Sequence, residues 1–181
     1  MNAIGIIESS SIAKGIELCD TMVKASAVKI IEAQPLCPGK YVILISGSIS
    51  EVENSVLVAA ERAGSMLVDK LIIPNIDDRV FKAINSTSNI SKIGAIGIIE
   101  TFSAASGVLA ADTAVKAAEI ELIEVRLSRG MGGKAFAIVT GSVSDVNAAV
   151  NAGCEAVKSD GMLAGFTVIP SPHADFKRFI S

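Results

Sequence analysis

Ala3-Ile4-Gly5-Ile6-Ile7-Glu8 is followed, 92 positions on, by Ala95-Ile96-Gly97-Ile98-Ile99-Glu100. Six consecutive residues return unchanged, and the surroundings return with them. Asp20-Thr21-Met22-Val23-Lys24-Ala25 is answered by Asp112-Thr113-Ala114-Val115-Lys116-Ala117, and Gly39-Lys40 by Gly133-Lys134. Ser46-Gly47-Ser48-Ile49-Ser50 matches Thr140-Gly141-Ser142-Val143-Ser144, and Ile73-Pro74 matches Ile169-Pro170. The chain is therefore a tandem repeat of one small domain. A repeat of about 90 residues is long enough to fold around its own core.

Each copy reads in the same order. The apolar run 3–8 has isoleucines on both parities, as a buried strand does. Ser9, Ser10 and Ser11 then offer helix N-caps. Ile12, Ile16, Cys19 and Val23 form a helical stripe taken as the buried face, with Ala104, Val108, Ala111 and Val115 as its counterpart. Val28 to Leu36 reads as a strand, Cys37-Pro38-Gly39-Lys40 as a turn, and Tyr41 to Ile45 as a third strand. Ser50 and Glu53 have capping-box spacing ahead of a second helix. Met66 to Ile73 is a fourth strand, and Asp77 to Ile84 a short terminal helix. The fold class is thus α+β, two ferredoxin-like β-α-β-β-α-β domains in tandem. The expected domains are residues 1–85 and 94–181, joined by a polar linker at 86–93.

Composition narrows the function. Hydrophobic residues make up 50% of the chain and mean hydropathy is +0.54, yet aromatics are only 4%. That is more aliphatic surface than two small cores need, which points to extensive subunit interfaces. A net charge of −3 speaks against a nucleic-acid surface. No apolar run reaches membrane-spanning length, and the first residues enter a strand pattern at once, so no membrane partner and no signal peptide are expected. Three cysteines without paired spacing argue against a disulfide framework and for a reducing cytoplasm.

No catalytic constellation stands out, and no enzyme activity is expected. His173, the one histidine, follows Pro170-Ser171-Pro172 at a helix start, a capping position. Glu8 and Glu100 end equivalent strands, with Lys24 and Lys116 as their expected partners at the interface of the two copies. Cys19 and Cys154 replace small core residues, Ala111 and Ala60 in the other copy. Cys37 instead occupies a turn, where a thiol can ligate or react. The glycine turns at 37–40 and 128–134 are either strand connections or anion-binding nests.

The recurrent Ala-Ile-Gly-Ile-Ile-Glu, Asp-Thr-x-Val-Lys-Ala, Gly-Lys and Ile-Pro elements resemble bacterial microcompartment shell proteins of the tandem-domain, trimeric class. The resemblance implies a structural tile in a microcompartment shell: a pseudo-hexameric homotrimer that assembles with other shell proteins, with luminal redox enzymes as possible further partners. It places a pore loop at Cys37, Pro38, Gly39 and Lys40 in the first copy, and at Arg129, Gly130, Met131, Gly132, Gly133 and Lys134 in the second. It makes Lys24 and Lys116 tile-edge contacts. Many relatives carry an edge Arg where this chain has Asn75 and Ser171. Cys37 is in the first copy only, so a trimer would present three thiols on its axis. Soft thiolates select Fe–S clusters, Cu(I) or Zn. The resemblance to T-type tandem members of propanediol-utilisation compartments implies one [4Fe–4S] cluster per trimer, for electron transfer or cluster passage. Two alternatives stand beside it: a tile with an open metabolite pore and no cluster, and a tandem ferredoxin-like metabolite-sensing module.

Overall fold

The structure is a computed structural model, and it describes residues 3–90, 92–127 and 130–180. Two four-stranded antiparallel sheets carry the fold. In the first, β1 (Ala3–Ser9) lies between β3 (Lys40–Gly47) and β4 (Leu67–Ile73), and β2 (Lys29–Leu36) borders β3, giving the order β2-β3-β1-β4. The second repeats it as β6-β7-β5-β8, from Ile120–Leu127, Ala135–Gly141, Ala95–Thr101 and Leu163–Ile169. In each, a helix carries the chain past a neighbouring strand before it rejoins the sheet, which is the split βαβ arrangement. These are α1 (Ile12–Ala25), α2 (Ile49–Ala63), α4 (Ala104–Ala117) and α5 (Val143–Lys158). The short helices α3 (Asp78–Ile84) and α6 (Ala174–Lys177) follow the last strand of each copy.

The recurrent hexapeptide is the central strand of each sheet. Its glycine is required by close packing. A Cβ at Gly5 would sit 2.5 Å from Val56 Cγ2, and one at Gly97 2.5 Å from Val150 Cγ2. The helix after β3 therefore presses directly on the strand backbone. Equivalent irregularities confirm the alignment of the copies: the β2–β3 ladder slips between Ile30 and Glu32, and the β6–β7 ladder between Leu122 and Glu124.

Two local expectations are corrected. The capping box at α2 is Ser48 with Glu51, not Ser50 with Glu53. β3 runs on to Gly47, so the helix starts immediately after it, and the earlier of two overlapping Ser-x-x-Glu frames is used. The buried face of α1 is Gly15, Leu18 and Met22, while Ile12, Ile16 and Val23 are exposed. Leu18 and Met22 pack in a core with Ile7, Ile43, Ile45, Val52 and Val56. In α4 the counterpart stripe, Ala104, Val108, Ala111 and Val115, is buried as expected.

The chain divides into two compact units. The first is residues 1–76 with 103–105 and 128–133; the second is 77–102 with 106–127 and 134–181. The turn after β6 and the start of α4 thus belong with the first copy. Conversely α3, the last element of the first repeat, belongs with the second, where it packs on β6.

Candidate functional site

The site grows from the turn between β2 and β3 in the first unit. Cys37, Pro38 and Gly39 are all exposed there. Gly39 has φ +80°, a conformation costly for any side chain, which explains the glycine. The second copy's turn uses the same device three times, at Gly130, Gly132 and Gly133, with φ +71°, +61° and +89°. The two turns are neighbours within the unit: a Cβ at Gly133 would lie 3.2 Å from the Cys37 carbonyl oxygen, 3.3 Å from Lys40 Nζ and 3.4 Å from Pro38 Cδ. A glycine at 133 is what allows this approach. The structure thus brings together Cys37, Pro38, Gly39, Lys40 and Gly133. Gly130, Met131 and Gly132 share the second turn; Arg129 lies outside the described residues.

Beneath the turn, Lys40 Nζ forms an ion pair with Glu8 Oε1 at 2.8 Å. Glu8 is wholly buried, and its Oε2 accepts the backbone N–H of Ala104 at 2.9 Å. Ala104 opens α4, so the carboxylate also meets a helix N-terminus. Beside it Ser103 Oγ donates to Asp69 Oδ2 at 2.5 Å. The expected partnership of Glu8 with Lys24 is corrected accordingly. Lys24 pairs with Asp20 at 2.6 Å and Lys116 with Asp112 at 2.6 Å, each one turn away on its own helix. Glu100 likewise meets Lys134, at 3.5 Å, and not Lys116. Lys134 Nζ also lies 5.9 Å from the Phe102 ring centroid. The signal for the true pairs was in the sequence, since the Gly-Lys turn recurs with the glutamate.

The thiols divide as read from sequence. Cys154 is buried and Cys19 half-buried, and desolvation pushes both above the ordinary thiol range. Cys37 is the exposed one. Among the described residues, no group of three or more His, Cys, Asp or Glu within the chain is arranged to hold a metal ion. His173 caps α6, its Nδ1 accepting the Asp175 N–H at 3.2 Å. No described helix is long and apolar enough to cross a membrane.

A duplicated split βαβ unit with glycine turns gathered at one place, and with lysines displayed on its helices, defines a tandem α+β building-block protein. The BMC domain model matches residues 3–76 and again 95–172. The chain belongs to this family of bacterial microcompartment shell proteins. It is 42% identical to the bacterial microcompartment shell protein PduT of Citrobacter freundii, over 97% of this chain and 96% of that one. A solved structure of a microcompartment protein from Desulfitobacterium hafniense DCB superposes with a TM-score of 0.89 at 45% identity, covering 98% of this chain and 99% of the other. The shell protein EutM of Salmonella typhimurium strain LT2 matches at 39% identity over 46% of this chain and 84% of its own length, a single-copy relative of one repeat.

Proposed function

We propose that this shell subunit works as a homotrimeric tile whose three Cys37 thiolates meet on the three-fold axis and hold one [4Fe–4S] cluster. The observation that carries the reading is the juxtaposition of the two glycine turns, with the exposed Cys37 at their meeting point. Two unequal copies per chain suit a closed ring in which they alternate. The donor set fits the group: a thiolate is the ligand that Fe–S clusters take, and the turn is open to solvent and backed by glycine. Three thiolates leave one iron for a non-protein ligand. Such a cluster supplies one-electron chemistry, or is itself the cargo. The chain's part is to position the thiols. Glu8 and Lys40 tie the base of the turn to β1 and to the start of α4, so that Cys37 is presented from a fixed support. Gly133 lets the second turn approach the Cys37 carbonyl and Pro38 with no side chain between them.

As a tile, the protein is a structural element and not an enzyme, and other shell proteins are its lateral partners. Lys24 and Lys116 lie in the last turns of the equivalent helices α1 and α4, and as exposed cations in matching places they are read as the tile-edge contacts. The test is anaerobic reconstitution with iron and sulfide, read by iron content, visible absorption and electron paramagnetic resonance after reduction. About four irons per trimer in wild type, and none in Cys37→Ser at unchanged trimer mass, is the expected result. Wild-type trimer that binds no iron supports an open pore in its place.

A further inference from the structure

We infer that the Lys40 ammonium, held at the Cys37 turn by the buried Glu8 carboxylate, tunes the thiol site electrically and favours its reduced, more negative state. The inference rests on the cluster reading above and gives the Lys40–Glu8 pair an electrical role besides its mechanical one.

The pair points one way. Lys40 Nζ and the Cys37 carbonyl oxygen approach a common point, the Cβ position of Gly133, at 3.3 Å and 3.2 Å, with Pro38 Cδ at 3.4 Å. No atom of Glu8 comes as near to that point. The carboxylate lies on the other side of the ammonium, 2.8 Å from Nζ through Oε1, and its Oε2 is taken by the Ala104 N–H. The pair is thus a short dipole with its positive end at the turn that carries the exposed thiol.

The pair is also sealed. The Lys40 side chain is 18% exposed and that of Glu8 is 0%. Charges this far out of water are screened little by salt and act strongly on their surroundings. The corresponding pair of the second copy is built differently: Lys134 and Glu100 stand 3.5 Å apart with 44% and 45% of their side chains exposed. Water and ions damp such a pair. The chain therefore holds one Lys–Glu pair in a fixed, dry setting, and that is the pair beside Cys37.

The chemistry gives the sign. Reduction adds one electron, taken from an external one-electron donor, and makes or breaks no bond. It leaves the thiol site one unit more negative. The potential of an iron–sulfur site follows its net charge, the hydrogen bonds to its sulfurs and its exposure. A fixed cation at the turn stabilises the more negative state. In the trimer three Lys40 ammoniums surround one site, so a single substitution changes three charges together. Glu8, of opposite sign and farther back, moderates the cation while it holds it.

The test is a redox titration of the anaerobically reconstituted trimer, followed by electron paramagnetic resonance, on wild type, Glu8→Gln, Lys40→Met and the double variant. Iron content and trimer mass are measured on each. Glu8→Gln leaves the cations unopposed and should shift the equilibrium about tenfold towards the reduced state, about 59 mV for one electron. Lys40→Met leaves the carboxylates unopposed and should shift it the other way. The double variant should fall between the two. A purely mechanical support would move both single variants in the same direction. Lys40→Met is the variant most exposed to misfolding, and the comparison stands without it: Glu8→Gln and the double variant share residue 8 and differ only in the ammonium. Equal potentials in those two overturn the role of Lys40 while the cluster stands. A wild-type trimer that takes up no iron removes the cluster itself, and this inference with it.

Discussion

Glu8 and Lys40 form an ion pair 2.8 Å apart in which the carboxylate is wholly buried and the ammonium reaches it from the base of the Cys37 turn. The charge has two partners, Lys40 and the Ala104 N–H. Removing the cation leaves a buried carboxylate with one hydrogen bond, a loss that typically costs about 3–5 kcal/mol. Lys40→Met should therefore destabilise the protein strongly in chemical denaturation at fixed protein concentration. Glu8→Gln in the same background removes the uncompensated charge while an amide oxygen still accepts from Ala104, and should recover about half of the loss. An equal loss in the single and the double variant would show that the charge is not the cause.

The glycine of the recurrent hexapeptide gives a second prediction. Gly5→Ala places a methyl 2.5 Å from Val56 Cγ2 and 2.9 Å from Val52 Cγ1, both in the core between β1 and α2. Overpacking of this kind costs about 1–3 kcal/mol. Val56→Ala in the Gly5→Ala background makes room, so the double variant should be less unstable than the two separate losses predict. Thermal melts of the four proteins measure the coupling, and strict additivity would count against a clash at this point.

The strand and helix order was legible because its signals are local: aliphatic runs, a Pro-Gly turn and serines ahead of helical stripes. The repeat doubled each signal. What was misread depended on distance. Glu8 finds Lys40 across a strand pairing, signalled only by the joint recurrence of the glutamate and the Gly-Lys turn, and finds Ala104 across 96 positions, which no spacing announces. The stripe Ile12, Ile16, Cys19 and Val23 is helical and apolar, but pattern alone does not tell a face turned to the chain's own sheet from one left open. Leu18 and Met22 occupy the core because Gly15 admits Tyr41 so closely, with a Cβ at Gly15 only 2.3 Å from Tyr41 Cβ. Cys37 was legible as the exceptional thiol because a turn between Leu36 and Pro38 has nowhere to bury it.

A third prediction concerns acid. The Arg79 guanidinium, bonded to Asp77 through Nε at 2.9 Å and Nη2 at 2.8 Å, holds the Asp77 carboxyl below the usual range, and the Arg79 N–H adds to this. A depressed carboxylate pKa contributes stability that is present above the unfolded value, near 4, and is lost as pH falls through the folded value. Asp77→Asn keeps the cap to the Arg79 N–H but not the charge. It should cost about 0.5–1 kcal/mol at pH 7, and the difference from wild type should shrink below about pH 4. A difference that is constant from pH 7 to pH 3 would assign the effect to packing.

The thiols supply a fourth. Desolvation raises Cys19 and Cys154, so at neutral pH both are protonated, and Cys154 is buried as well while Cys19 is half-buried. In protein freed of iron, a disulfide reagent at pH 7 should modify one thiol per chain quickly and the others at least about tenfold more slowly. Cys37→Ser should remove the fast phase alone. A fast phase that survives this substitution would place the reactive thiol elsewhere.

The last prediction separates the chain's stability from its lateral assembly. Lys24 is highly exposed and paired with Asp20 one turn earlier on α1, and Lys116 is paired with Asp112 at the same spacing on α4. Pairs of this spacing contribute about 0.3–0.5 kcal/mol. Lys24→Ala should therefore leave the melting temperature within a degree or two and the sedimentation coefficient unchanged. Lys116→Ala exposes the buried Asp112 to the loss of its cation, so its melting temperature should fall further. If these lysines are tile-edge contacts, both variants should still give trimers but form fewer and smaller sheets by negative-stain microscopy at equal concentration. Added salt should weaken wild-type sheets towards the same limit, because the contact is charged and solvent-accessible. Sheets of normal size in both variants would move the tile edge to another face, and the exposed faces of the helices after β3 and β7 would be the next to test.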